Sequence, residues 1–360
     1  MASDVVILFG GSSSERLVSV ASAQNVSAHL PGAACWFLSP AGAVFITPPS
    51  VLAAHARPFE VEFVPAGAPD FPTLAAALDA ETSPRVFFLA LHGGEGENGV
   101  TQRLFEQRKL AFTGSGSKAS ADAFDKAKAR KLASAKGAKV AEARTLPQMN
   151  VDVAKAALAS LLAAHPRWVL KPQADGSSHG LIHLREPEQL DAAAAALSGF
   201  HLDYLAEVFI EGRELTVGVV DDEGGPVALP VSEVRLIPGG AFDYAGKYLG
   251  KGTEEITPAQ LTEAEAKAAQ ALGVLTHRAL GCAGYSRTDM ILSPRGLVLL
   301  EINTLPGMTK ASFIPQQLAA AGRSVKDFLE RQLQLARARR DKAPGGDGVG
   351  RKTTGAAEPT

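Results

Sequence analysis

Near residue 300 the chain brings two carboxylates and a carboxamide close together. Asp289 lies in the apolar run Tyr285 to Leu292, and Glu301 and Asn303 lie in or just beyond the run Leu297 to Ile302. The segment between them, Ser293-Pro294-Arg295-Gly296, reads as a hairpin turn. Strand side chains alternate faces, so Glu301 and Asn303 point the same way, and counting back across the turn puts Asp289 within a residue of Glu301. The neighbours Met290, Ile291, Leu299 and Leu300 predict that the hairpin is at least half buried. Two carboxylates facing each other there repel and resist ionisation. A hard cation removes that penalty, and two carboxylates with an amide oxygen suit Mg²⁺. A surface hairpin with one solvated acid per strand would carry the same residues.

Cations and small-residue loops occur elsewhere. Arg167-Trp-Val-Leu-Lys-Pro172 reads as a short strand, and Pro172 keeps Lys171 extended, a fixed charge at a strand end. The following loop, Ala174 to Gly180, contains Ser177 and Ser178, whose hydroxyls and backbone N–H groups suit phosphate. It has neither Walker nor kinase-loop spacing, and a plain hairpin turn is the competing reading. Lys126 belongs to Asp-Lys-Ala-Lys-Ala-Arg-Lys, which by composition alone is a solvated helix face. His92 opens the glycine-rich loop His92 to Gly99, and Glu15 follows Gly10-Gly11-Ser12-Ser13-Ser14.

These groups need elements to hold them. Asp4 to Phe9 is a continuous apolar run, as in a strand covered on both faces, and a helix is predicted over Glu15 to Leu30. Strand, tight turn and helix place free N–H groups at the carboxyl edge of a sheet, although GxGxxG is absent. Further strands are predicted at 34–38, 44–47, 61–64 and 86–91, and a helix at 120–136. Leu205 to Val219 gives two strands about a tight Glu-Gly turn. Gly239 to Tyr248, glycine-rich with aromatics and Lys247, reads as a lid over 239–253. Helices are predicted at 262–280 and 324–340, before a Gly-, Pro- and Thr-rich tail that reads as disordered.

A length of 360 residues exceeds one simple core. The expected fold class is α/β, becoming α+β in the C-terminal half, with domains at 1–114, 115–208 and 209–335 and a tail at 336–360. A net charge of −2 gives no reason to expect nucleic acid or an acidic membrane as partner. Cys35 and Cys282 lie outside any CxxC spacing, which with an uncharged N-terminal run predicts a cytoplasmic protein with reduced thiols. No segment has the roughly 20 apolar residues that span a bilayer.

Taken in order, Gly-Gly-Ser-Ser-Ser-Glu15, the His92 loop, Asp125-Lys126, Val-Leu-Lys-Pro172, Glu-Gly-Arg-Glu214-Leu-Thr, Phe-Asp-Tyr-Ala-Gly-Lys-Tyr248, Arg287-Thr-Asp289 and Glu301-Ile-Asn-Thr-Leu-Pro-Gly-Met-Thr309 form a series. It resembles the D-alanine–D-alanine ligases of the ATP-grasp superfamily over about residues 4–335. The resemblance implies a Rossmann-like N-terminal domain and ATP held between two antiparallel sheets. It implies ATP and two Mg²⁺ (or Mn²⁺) as cofactors, two molecules of D-alanine as substrates, and a homodimer.

By the same resemblance Glu15 holds the first ammonium with His92 beside it, and Lys126, Lys171 and Lys247 contact phosphates under a loop carrying Ser177 and Ser178. Glu207 and Ile210 meet the adenine, and Glu214 the ribose. Asp289, Glu301 and Asn303 are the metal ligands. Arg287 and the Gly307 N–H stabilise the oxyanion, Ser312 takes the second carboxylate, and Tyr248 covers the second substrate's site. Asn98, His179, Gly246 and Thr288 depart from the usual pattern. An intermediate carried on the substrate accords with the lack of a Ser-His-Asp or Cys-His nucleophile. A ligase using D-lactate or D-serine second, and an inactive ATP-binding sensor, are the alternatives.

Overall fold

The computed structural model describes residues 4–83, 85–176, 179–236 and 253–342. Ser177, Ser178, Gly246, Lys247 and Tyr248, with most of the 239–253 segment, lie outside them. Three sheets organise the described chain.

The first has the order β3-β2-β1-β4-β5, built from β1 (Val5–Gly10), β2 (Ala34–Leu38), β3 (Val44–Thr47), β4 (Val86–Leu89) and β5 (Ala111–Phe112). β1 runs parallel to both β2 and β4, so the chain leaves β1 on one side and returns on the other. The carboxyl ends of β1 and β4 therefore form a switch point, where loops diverge and leave a crevice. Helix Arg16–His29 starts there. Ser19 fixes the crevice, accepting from Gly10 N at 2.7 Å and donating to Ala90 O at 2.6 Å.

A strand expected at 61–64 does not form. Phe63 instead packs its ring on Phe9 and Phe37, while Val64 is 80% exposed, so the apolar letters serve a loop anchored by one aromatic.

The second sheet, β6-β9-β7-β8, is antiparallel and comprises β6 (Ala143–Leu146), β7 (Trp168–Pro172), β8 (Ile182–Leu184) and β9 (Tyr204–Val208). Trp168, Leu170, Tyr204 and Ala206 face a core shared with Ala154, Leu158, Leu161 and Leu197 of helices Val151–Ala164 and Leu190–Phe200. Alternation then places Lys171 and Glu207 on the opposite face.

The third sheet contains β10 (Arg213–Asp222), β11 (Gly225–Ala228), β12 (Ser232–Leu236), β13 (Thr253–Ile256), β14 (Tyr285–Ser293) and β15 (Gly296–Asn303), and is antiparallel throughout. Leu215, Val217, Val219, Met290 and Leu299 pack beneath helix Glu263–Ala279. That helix starts at a capping box, in which Thr262 and Glu265 satisfy each other's orphan donors. β9 and β10, adjacent in sequence, belong to different sheets, so the Glu-Gly turn between them is a crossover and not a hairpin.

The single helix expected over 120–136 is two, Ser117–Phe124 and Lys126–Ser134. Asp125 leaves the helical region (ψ 100°) and caps the second helix through Lys128 N. Both helices contribute to the core beneath the third sheet through Ala123, Ala129 and Ala133. The closing helix Val325–Lys342 packs Phe328, Leu329 and Leu333 into the core of the first sheet, running past a boundary at 336. No helix of the described residues is long and apolar enough to cross a membrane.

Candidate active site

One cavity is lined by Glu15, His92, Arg287, Glu301, Asn303, Gly307 and Ser312 together. The first sheet's switch point supplies one wall. Glu15 is buried, and a Cβ added at Gly93 or Gly176 would come within 2.6 or 2.5 Å of its Oε2, so two glycines make room for one carboxylate. His92 Nδ1 lies 2.8 Å from Leu305 O and must carry the proton that it donates there. Its Nε2 therefore accepts from Ser22 Oγ at 2.8 Å, and Ser22 Oγ accepts from Met308 N at 3.1 Å. Both ring nitrogens are thus engaged, and burial pulls the imidazole's pKa down. His92 ties the first sheet to the 305–308 loop.

Glu97 makes a second tie. Its carboxylate accepts from Gly93 N at 2.8 Å and Leu305 N at 3.2 Å. Burial, reinforced by the charge of Glu15, pushes its pKa up to about 7. The 305–312 loop that they hold carries Gly307 against Ser312 Oγ, leaving 2.6 Å for an added Cβ. Ser312 Oγ accepts from Thr309 N at 3.1 Å and precedes helix Phe313–Ala320.

The third sheet supplies the floor. Asp289 pairs with Thr216 on one side and Glu301 on the other, and Arg287 with Asn303, so all share one face. Asp289 accepts from Thr216 Oγ1 at 2.5 Å, from Arg287 Nε and Nη2 at 2.8 and 2.7 Å, and from Asn303 Nδ2 at 3.2 Å. Among the described residues no three His, Cys, Asp or Glu side chains form a metal cluster. The set here is two carboxylates and one amide, all hard oxygen donors, with Thr216 orienting one carboxylate, and it fits Mg²⁺ or Mn²⁺.

Lys126 bridges to the second sheet. Its Nζ is 3.5 Å from Glu301 Oε2 and donates to Asp175 O, and its backbone N donates to Gln173 O at 2.9 Å. Lys171 Nζ is 2.5 Å from Glu207 Oε2, and Arg130 Nη1 donates to Glu207 Oε1. Glu207 thus neutralises two cations in this structure. Glu214 shares the face of Thr216, and Ile210 lies half-buried in the crossover between the two sheets.

Residues 4–115 match the family described as "D-ala D-ala ligase N-terminus", and residues 135–334 that described as "D-ala D-ala ligase C-terminus". The chain belongs to the D-alanine–D-alanine ligase family.

Its ligase relatives include the Agrobacterium fabrum D-alanine–D-alanine ligase, 35% identical over 339 residues, covering 92% of this chain and 97% of that one. The Leptospira interrogans ligase is 37% identical over 265 residues, 72% and 74% of the two chains. Among solved structures, the D-alanine-D-alanine ligase from Coxiella burnetii superposes with a TM-score of 0.76 at 23% identity, over 94% of each chain. The VanG D-Ala:D-Ser ligase from Enterococcus faecalis gives 0.74 at 26% identity, over 92% of this chain and 98% of that one. The architecture is ATP-grasp, and the protein is an ATP-dependent ligase.

Several residues in and around this cavity carry little signal in the sequence. Arg130 stands four residues after Lys126, so one helix face buries both while Lys128 and Lys131 stay exposed; that spacing was the available signal. Glu255 and Phe59 also line the cavity, and nothing local marks either. Both cysteines are free, with thiols raised by burial, Cys282 to about 12.

Proposed function

We propose that this protein joins two D-alanines to D-alanyl-D-alanine, with ATP phosphorylating the first carboxylate and the second amine attacking the acyl phosphate. One arrangement carries the reading. Arg287, Asp289, Glu301 and Asn303 share a sheet face that Lys126 reaches at 3.5 Å, in the cavity that also holds Glu15, Gly307 and Ser312.

Each group then has work suited to its chemistry. Glu15, buried beside Gly93 and Gly176, receives the first substrate's ammonium, and His92 and Glu97 hold the wall rigid. Asp289, Glu301 and Asn303 hold two divalent cations, which when bound neutralise phosphate oxygens. Lys126 and Lys171 take ATP phosphates, Lys171 turning from Glu207 to do so. Glu207 and Ile210 border the adenine and Glu214 the ribose. Arg287 and the Gly307 N–H meet the oxyanion where it develops, and Ser312 binds the second carboxylate. To Ser177, Ser178, Lys247 and Tyr248, which lie outside the described residues, we assign the remaining phosphate contacts and the cover of the second substrate's site.

We place the domains at 1–114, 115–208 and 209–335. Helices Ser117–Phe124 and Lys126–Ser134 share the third sheet's core, so the second unit's own core begins near β6. A cytoplasmic homodimer that engages neither nucleic acid nor membrane, supplying peptidoglycan precursors, completes the proposal.

The test offers D-alanine, D-serine and D-lactate together with ATP and Mg²⁺ and identifies the products. D-alanyl-D-alanine with stoichiometric phosphate is expected. A mixed product would assign the chain to a sister ligase, and ATP binding without ADP formation would make it a sensor.

A further inference from the structure

Glu255 on β13 has no part in the roles above. In register it pairs with Val234, Val234 with Glu214, and Glu214 with Ile291. Directly opposed residues share a face, so Glu255 projects from the same side of the sheet as Thr216 and Asp289. It lines the cavity with Arg287, Ser312 and Phe313. Gln316, on helix Phe313–Ala320, donates Nε2 to Glu255 Oε2 at 2.7 Å. Gln316 is itself braced, donating to Ala311 O at 2.7 Å and accepting from Thr257 Oγ1 at 3.1 Å.

Among the described residues Gln316 is the only hydrogen-bond donor to this carboxylate. Burial pushes the Glu255 carboxyl up, opposed by the Gln316 bond and by the charge of Arg287. A half-buried carboxylate at a cavity wall, held by a neutral amide N–H, is well placed to receive a cationic donor. The same cavity offers the Ser312 hydroxyl, assigned above to the second carboxylate. A zwitterionic amino acid matches this pair of groups.

We propose that Glu255 receives the ammonium group of the second amino acid and takes up its first proton. This rests on the ligase reading above. An ammonium nitrogen has no lone pair and cannot attack. Transfer of one proton to the Glu255 carboxylate leaves a neutral amine, whose lone pair forms the C–N bond to the acyl carbon. The C–O bond to phosphate breaks, its electron pair leaving with the phosphate. The second proton on nitrogen departs with that leaving group as hydrogen phosphate, giving a neutral amide and a protonated Glu255. A hydroxy acid brings no positive charge and gains nothing from this carboxylate, so Glu255 also selects amines.

The test is Glu255→Gln, which keeps size and an acceptor for Gln316 but removes the charge. Steady-state kinetics from pH 4.5 to 9.5 are run on the full chain, with ATP, first-site and second-site D-alanine constants separated and melting temperature recorded. KM for the second D-alanine is expected to rise at least about tenfold, the loss of one charge-assisted hydrogen bond. The constants for ATP and the first D-alanine stay within about twofold, a change of under half a kcal/mol. The kcat profile loses the limb that rises with ionisation of this carboxyl, and Glu255→Asp restores part of the effect. Unchanged second-site constants, or all constants shifting together with a lowered melting temperature, would overturn the proposal. A wild-type chain that releases no D-alanine-dependent phosphate would instead sink the ligase reading.

Discussion

Asp289 stands directly opposite Glu301 on the β14–β15 ladder because Leu300 is an extra residue between two registers. Met290 pairs with Leu299 on the core side. Had the strands run on without the bulge, Glu301 would oppose Thr288 and point into the core. The bulge turns Glu301 and Asn303 to the face of Asp289, and so assembles the carboxylate pair.

That pair depends on Thr216, whose hydroxyl donates to Asp289 Oδ1 at 2.5 Å. Thr216→Val keeps the shape and removes the donor. Divalent-cation affinity is expected to fall about 10–100-fold, as for other partners that orient metal ligands. Mg²⁺ titration of ATP turnover reads it, and an unchanged midpoint would refute the coupling.

Gly176→Ala tests the fit around Glu15. The new Cβ would lie 2.5 Å from Glu15 Oε2, and the flexible carboxylate, not the backbone, gives way. KM for the first D-alanine is expected to rise about tenfold or more, with the melting temperature within about 2 °C of wild type. A large thermal loss with normal KM would contradict this.

Arg130→Met removes one of the two cations on buried Glu207, leaving Lys171 alone with it. Stripping one partner from a buried ion pair costs about 3 kcal/mol. Urea unfolding should show that loss, together with weaker ATP binding as Lys171 is drawn more tightly to Glu207. An unaltered unfolding midpoint would mean that the pairing contributes little.

Glu97 makes stability depend on pH. Its pKa is raised from 4.5 to about 7 in the folded protein, chiefly by burial. The folded state therefore binds more protons than the unfolded one between those values, and stability falls as pH rises through them, by about 3 kcal/mol. It is greatest below about pH 4.5 for this group and level above about 7. In Glu97→Gln the slope of unfolding free energy between pH 5 and 7 should flatten relative to wild type. Parallel slopes would assign the effect to other groups.

Much of this was legible in the chain. The apolar run 4–9, the Lys-Pro strand end and the hairpin at 293–296 announce their elements because period, proline restriction and turn chemistry act locally. Asp289 and Glu301 were legible only to within a residue, since strand alternation over a short turn leaves few registers but the bulge at Leu300 that aligns them has no local signature. What the tertiary structure alone decided is which solvated-looking groups are buried and what they meet. The run 125–131 reads by composition as a solvated helix face, yet packing of its helix beneath β15 buries Lys126 and Arg130 and leaves Lys128 in water. Likewise Glu255 and Ser312 lie 57 residues apart and share a cavity only because β13 pairs on β12 beside helix Phe313–Ala320. Local rules fix a backbone's period; burial and charge pairing depend on contacts that close over long separations, and these no short stretch of residues encodes.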